Sequence, residues 1–252
     1  EITYIESPTE NGQARYLPQW IRTNLTEDEK ETAVVLCNES MLQPVLHSLP
    51  ENVSHLNITM GFPLSQTPAY SFVNALMELH TAGYNPNNGR YRFDEVISVL
   101  RHPYTRQLSP EAGKLEKALT QDNRFYPLPS ELEKDEALEL LFQPREGNLS
   151  LCIMLAEALK RMAACYQQQA ASADAAFDQL YREALFNAFT LINRFHTLTE
   201  SGELQVQPAT FKRLLTRVMS AASIPFHGEP AIGMQVIGVL DTRNLNFRHL
   251  IM

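Results

Sequence analysis

The sequence predicts a mixed α/β fold: a parallel-sheet domain formed by both chain ends and interrupted by an all-helical insertion subdomain. Three observations predict it. Continuous apolar runs of strand length, the mark of strands covered on both faces, stand near the two ends at residues 33–37 and 234–240. Between them, over residues 70–219, the apolar period is almost entirely 3.6. In the first part, strand-like and helical runs alternate, the order that gives a parallel, three-layer sheet. The expected boundaries are residues 1–66 and 223–252 for the two parts of the α/β domain and 67–222 for the insertion. A chain of 252 residues is long enough to carry one domain with a sizeable insertion.

Taken in order, Ile2, Thr3, Tyr4 and Ile5 are β-branched or aromatic and predict a first strand, with turn chemistry at residues 7–12. Ala14, Leu17, Trp20 and Ile21 predict a helix over residues 13–25, with Pro18 in its first turn or at a kink. A strand at 33–37, a helix through Leu42, Leu46 and Leu49, and a strand at 57–60 follow. Phe72, Val73, Leu76 and Leu79 mark one helix of the middle block. Phe93, Val96, Ile97 and Leu100 mark another, stopped at His102-Pro103. A broad stripe from Phe177 through Leu180, Ala184, Ala188, Ile192 and Phe195 to Leu198 predicts a long buried bundle helix. Pro208 opens a final helix with Phe211, Leu214, Leu215 and Val218 inward and Lys212, Arg213 and Arg217 on a solvated face. Loops are expected at 85–89, 145–148 and 170–174, and strands return at 234–240 and 249–252.

Hydrophobic residues at 44% and charged residues at 20% are the balance of an ordinary globular protein. No apolar run is long enough to span a bilayer, so no membrane association is expected. A net charge of -8 argues against a nucleic-acid surface over most of the chain and leaves room for a local basic groove. Cys37, Cys152 and Cys165 are odd in number and lack metal-site spacing, which predicts a reduced, cytoplasmic protein. Both ends, Glu1 and the apolar run closing on Met252, read as cut from something longer.

The chemical motifs are sparse. There is no G-x-x-x-x-G-K-[ST] loop, no G-x-G-x-x-G after a predicted strand, no H-E-x-x-H and no G-x-S-x-G. Accordingly no cofactor and no catalytic residue is assigned to this segment. The histidines at 47, 55, 80, 102, 196, 227 and 249 are scattered, and a zinc site would need several to converge across the fold. His102 reads as a helix-end residue. Glu131, Glu133, Asp135 and Glu136 read as a solvated helix face rather than metal ligands. Asp241 stands at a strand end, where α/β sheets place catalytic carboxylates. Thr242 and Arg243 beside it supply no second ligand, so it reads as a turn aspartate.

Residues 233–247, Gly-Met-Gln-Val-Ile-Gly-Val-Leu-Asp-Thr-Arg-Asn-Leu-Asn-Phe, carry a resemblance. The segment resembles the fifth motif of superfamily 1 helicases, and more closely its form in RecB/AddB-type helicase-exonucleases that carry a PD-(D/E)XK nuclease. Residues 13–17, 33–36, 57–64 and 226–230 support the match in order. The resemblance implies the second RecA-like domain of a UvrD-like helicase, interrupted by a helical insertion. Gly238, Leu240, Asn244 and Asn246 stand where the active pattern has threonine, histidine, glycine and glutamate, which implies a degenerate, non-hydrolysing copy.

The implied function is that of a non-catalytic, helicase-like DNA-binding scaffold within a bacterial DNA repair or recombination enzyme, the parent being an ATP-dependent helicase/exonuclease. The implied partners are DNA, single-stranded or at a duplex end, and a partner helicase or nuclease subunit. Thr242 and Asn246 are expected to bond phosphate and Arg243 to add charge. An internal Arg243–carboxylate pair is the competing reading of that arginine. The alternative function is a purely structural module that docks a partner subunit, which the acidic balance favours. A self-contained nuclease with a spatially assembled carboxylate site is the third.

Overall fold

The computed structural model describes residues 2–26, 28–53, 55–168, 175–224, 233–242 and 245–252. The loop expected at 170–174, the segment 226–230, the side chain of Phe177, and Arg243 and Asn244 lie outside the described residues. The fold is mixed α/β, and the chain divides into two compact units. One joins Glu1–Phe62 to Pro225–Met252, and the other is Pro63–Ile224.

In the first unit, helix α1 (Glu10–Asn24) begins at Thr9, whose side chain accepts the Gly12 N–H, and buries Ala14, Leu17 and Ile21. Pro18 sits in the helix interior rather than its first turn. The first turn is polar and so escaped the apolar pattern, while Thr9 is the cap that sets the start. Strand β1 (Thr32–Leu36) is buried along its whole length. Helix α2 (Leu42–His47), strand β2 (Leu56–Ile58) and the two-residue β3 (Phe62–Pro63) follow. Residues 2–5 are not the strand their composition predicted. They pair with no strand among the described residues, and Ile2 and Tyr4 are exposed. β-Branched residues favour a strand only where a sheet edge receives them.

The second unit opens with α3 (Pro68–Glu78), capped by the Thr67 side chain, and passes through a π-helical turn at Leu79–Gly83. The expected loop at 85–89 is the turn of a hairpin, β4 (Tyr84–Asn85) against β5 (Arg90–Tyr91), with Gly89 at φ 66°. Strands this short leave no periodic signal. Helix α4 (Phe93–Arg101) then gives way to α5 (Pro103–Leu108). His102 ends the first and caps the second, its Nδ1 accepting the Tyr104 N–H at 3.2 Å.

Helices α6 (Ala112–Gln121), α7 (Pro129–Leu132), α8 (Glu136–Phe142), α9 (Gly147–Gln168), α10 (Ala175–Glu200) and α11 (Pro208–Ala221) complete the block before β6 (Ser223–Ile224). Its core includes Phe72, Tyr91, Tyr104, Phe142 and Phe211, all fully buried. Phe195 of α10 meets Phe211 of α11 edge-on at 5.5 Å. On α11 the buried face is Phe211, Leu215 and Met219, at a strict spacing of four, so Leu214 and Val218 fall outside it and are exposed, contrary to the expected inward face. Lys212 is not simply solvated either, since it pairs with Glu78. Leu64 N–H donates to Ala222 O at 2.9 Å, so the unit's two ends lie side by side.

Strands β7 (Met234–Gly238) and β8 (His249–Ile251) return to the first unit. They complete an all-parallel sheet in the order β2-β7-β1-β8, with Val34 opposite Val236 and Ile251, and Asn57 opposite Gln235. The two fully buried strands, β1 and β7, occupy its centre. Cys37, Cys152 and Cys165 are free thiols, and burial pushes that of Cys152 up to about 12. Among the described residues no helix is long and apolar enough to cross a membrane.

Candidate functional site

The C-terminal edge of the parallel sheet is where α/β folds gather their loops, and the segment expected to carry function ends there. Two residues of that segment have structural reasons, Gly233 and Gln235. Gly233 holds φ 80°, and a Cβ there would stand 2.3 Å from the His55 carbonyl oxygen, so only glycine fits where β7 starts. Gln235 interrupts an otherwise apolar strand because it is half of a buried pair. Asn57 Nδ2 donates to Gln235 Oε1 at 2.6 Å across the β2–β7 ladder, and Gln235 Nε2 donates to Gly233 O at 2.9 Å. Gly238, at the end of β7, lies beside two acids, and a Cβ there would make only ordinary contacts, 3.4 Å from Glu39 Oε1 and 3.5 Å from Asp241 Oδ2.

Asp241 is the turn aspartate its sequence context suggested, since Thr59 Oγ1 donates to its Oδ2 at 2.9 Å and ties the loop after β7 to the loop after β2. After β1, Asn38 Nδ2 donates to Glu10 Oε1 at 3.1 Å, while Asn38 Oδ1 accepts Ser40 N–H and Oγ–H. Glu10 and Asn38 therefore join the loop after β1, where Glu39 also sits, to α1. None of Glu10, Glu39 and Asp241 has a cationic partner among the described residues. A local excess of carboxylates repels phosphate.

Of the predicted DNA contacts, Thr242 is half-buried and its Oγ1 donates to Val239 O at 2.7 Å, so its hydroxyl proton is spent within the turn. Asn246 is exposed, and Leu245 N–H returns to Thr242 O at 3.2 Å. Arg243 lies outside the described residues. The side chains of Val239 and Leu240, at 41% and 74% exposure, face solvent beside them.

Elsewhere, Ser71 Oγ lies 3.0 Å from His102 Nε2 and donates to Pro68 O. Because His102 Nδ1 accepts the Tyr104 N–H, its proton is on Nε2 and points at the serine oxygen, the reverse of what a nucleophile–base pair requires. Burial holds the His102 imidazole down at about 4, which keeps it neutral. The acidic run at 131–136 holds helix starts rather than a metal or a purely solvated face. Glu131 accepts the Leu128 N–H at α7, Asp135 accepts the Leu138 N–H at α8, and Glu136 pairs with Arg161 at 2.7 Å. No group of three His, Cys, Asp or Glu among the described residues is arranged to hold a metal ion.

No family model and no curated protein matches this chain. The Asn57–Gln235 pair and the glycine constraint at Gly233 were missed by sequence reasoning. A single polar residue inside an apolar strand, with an Asn in another strand to bond it, was the available signal.

Proposed function

We propose that this chain is the second RecA-like domain of a degenerate superfamily 1 helicase of the RecB/AddB helicase-exonuclease type, interrupted by a helical insertion. It serves as a non-catalytic, DNA-binding scaffold in a cytoplasmic DNA repair or recombination enzyme of bacteria. One observation supports this reading above the rest: the motif-bearing segment forms β7, a central strand between β1 and β2 in an all-parallel sheet drawn from both chain ends. The turn after it, Val239–Thr242, stands at the C-terminal edge, where a strand's phosphates would be met, and Arg243 and Asn246 follow it in the sequence. The work done is binding and positioning of a single strand or duplex end. Glu10, Glu39 and Asp241 keep this contact weak, so Arg243 must supply its positive charge.

Fluorescence anisotropy of the chain with labelled single-stranded and forked DNA, at low and moderate salt, tests the proposal. Salt-sensitive binding weakened several-fold by Arg243→Ala and less by Asn246→Ala is the expected result. Absence of binding at low salt overturns it in favour of a module that docks a partner subunit. That second reading is favoured by the net charge of -8 and by Ile153 and Phe186, apolar side chains 53% and 65% exposed on α9 and α10.

A further inference from the structure

We propose a separate single-stranded nucleic-acid contact on the β4–β5 hairpin of the helical unit, built from Tyr126 and Phe125 with Arg90, Arg92 and Arg124. This site goes beyond the sheet-edge reading and does not depend on it. Phe125 and Tyr126 are adjacent aromatic residues, 60% and 62% exposed, on the connection between α6 and α7. They are held rather than loose. Phe93 N–H donates to Phe125 O and Tyr91 N–H donates to Pro127 O, each at 3.0 Å, so this connection runs beside β5 as an added edge. Arg90 Nη1 fixes the Tyr126 carbonyl at 2.7 Å, and Phe93 meets the Phe125 ring at 6.0 Å. An open ring whose backbone is already ordered loses little entropy when a base stacks on it.

Beside Tyr126 the hairpin encloses a cleft of about 310 Å³ whose walls include Tyr84, Asn88, Arg90 and Arg92. Its guanidinium groups are available. Arg92 and Arg124 are 56% and 58% exposed and touch Glu95 and Glu131 through one Nη each, at 3.5 and 3.6 Å, which leaves the other donors of each fork for a phosphate while the acids keep their partners. Arg90 makes no ion pair among the described residues. Open aromatic faces flanked by arginine forks are the combination that binds single strands, bases stacking while phosphates take the charge. An acidic peptide would use the arginines and leave both rings idle. The sheet edge of the first unit, by contrast, presents carboxylates.

The test is anisotropy of the whole chain with a labelled oligothymidylate and, separately, a labelled polyglutamate, helical signal being checked for every variant. Tyr126→Ala should weaken oligonucleotide binding roughly fivefold or more, while Tyr126→Phe, which keeps the ring, holds it near the parent value. Arg92→Glu should weaken it further and lower the salt slope by about one phosphate contact. Oligonucleotide affinity unchanged by Tyr126→Ala and Arg92→Glu overturns the site, as does absence of binding or tighter binding of polyglutamate. Loss in Arg243→Ala with no change in Tyr126→Ala overturns the hairpin site and leaves the sheet-edge reading standing. The opposite pattern does the reverse.

Discussion

The sheet unit and the helical unit are specified in different ways. In the helical unit each element is announced by its own helix period, although the helices then pack over long separations, as Asn74 with Thr216: Phe72, Val73 and Leu76 lie on one turn and a half of α3, and Val96, Ile97 and Leu100 on α4. In the sheet unit, β7 finds its neighbours across the whole chain, Val34↔Val236 on one side and Ile58↔Val236 on the other. Local pattern thus suffices for the first, whereas the second leans on a few residues that enforce one pairing. Gly233 and the Asn57–Gln235 bond are those residues, and their loss should be felt in one unit alone.

Trp20, the single tryptophan, lies in α1 and reports the sheet unit, while the far-ultraviolet helix signal comes mostly from the other. The largest expected effect is that of Gly233→Ala, which adds a Cβ against the His55 backbone at a positive φ and should cost about 3 kcal/mol or more. In urea, the Trp20 transition should move to lower denaturant while the helix transition stays. Coincident shifts would break the comparison.

Acid should act on the other unit. Burial lowers His80 and His102 from 6.5 to about 4, so the folded state binds fewer protons than the unfolded one between those values. Stability is therefore fully present above pH 6.5 and is lost as pH falls towards 4, by about 2 kcal/mol for each ring. The helix transition measured against pH should show it, and His102→Asn, which can still cap α5, should remove about half of the slope. A slope confined to the Trp20 signal would contradict the assignment.

Asn57→Ala strands the buried Gln235 oxygen and should cost about 1–2 kcal/mol, read from Trp20. Replacing both Asn57 and Gln235 by leucine should recover part of that loss, because the two amides are removed together and only Gly233 O loses a donor. Smallest of all, Thr242→Ala removes one turn hydrogen bond and should shift the Trp20 midpoint by less than about 1 kcal/mol.

Legibility followed the same division. The long helices, β1 and β7 could be read because each is a periodic or continuous apolar run. Residues 2–5 misled because strand propensity says nothing about a partner, and the hairpin was hidden because two residues a side make no pattern. Leu214 and Val218 misled because an apolar stripe wider than the buried face fits the same period. The site was less legible than the fold. Thr242 could be proposed from its own segment, but the charge around it is a sum over Glu10, Glu39 and Asp241, which come from three places in the chain. Likewise Tyr126 and Arg92 are far apart in sequence and meet only because residues 125–127 lie along β5.

The strand order also governs how the protein can be made. As the chain leaves the ribosome, β1 and β2 emerge first, yet they are not neighbours, because β7 belongs between them. They must wait while the entire helical block is synthesised, and that block, rich in short-range contacts, can form in the meantime. Until β7 arrives, the edge of β1 that it will pair keeps its backbone N–H and C=O groups open, the nascent segment in greatest need of a chaperone.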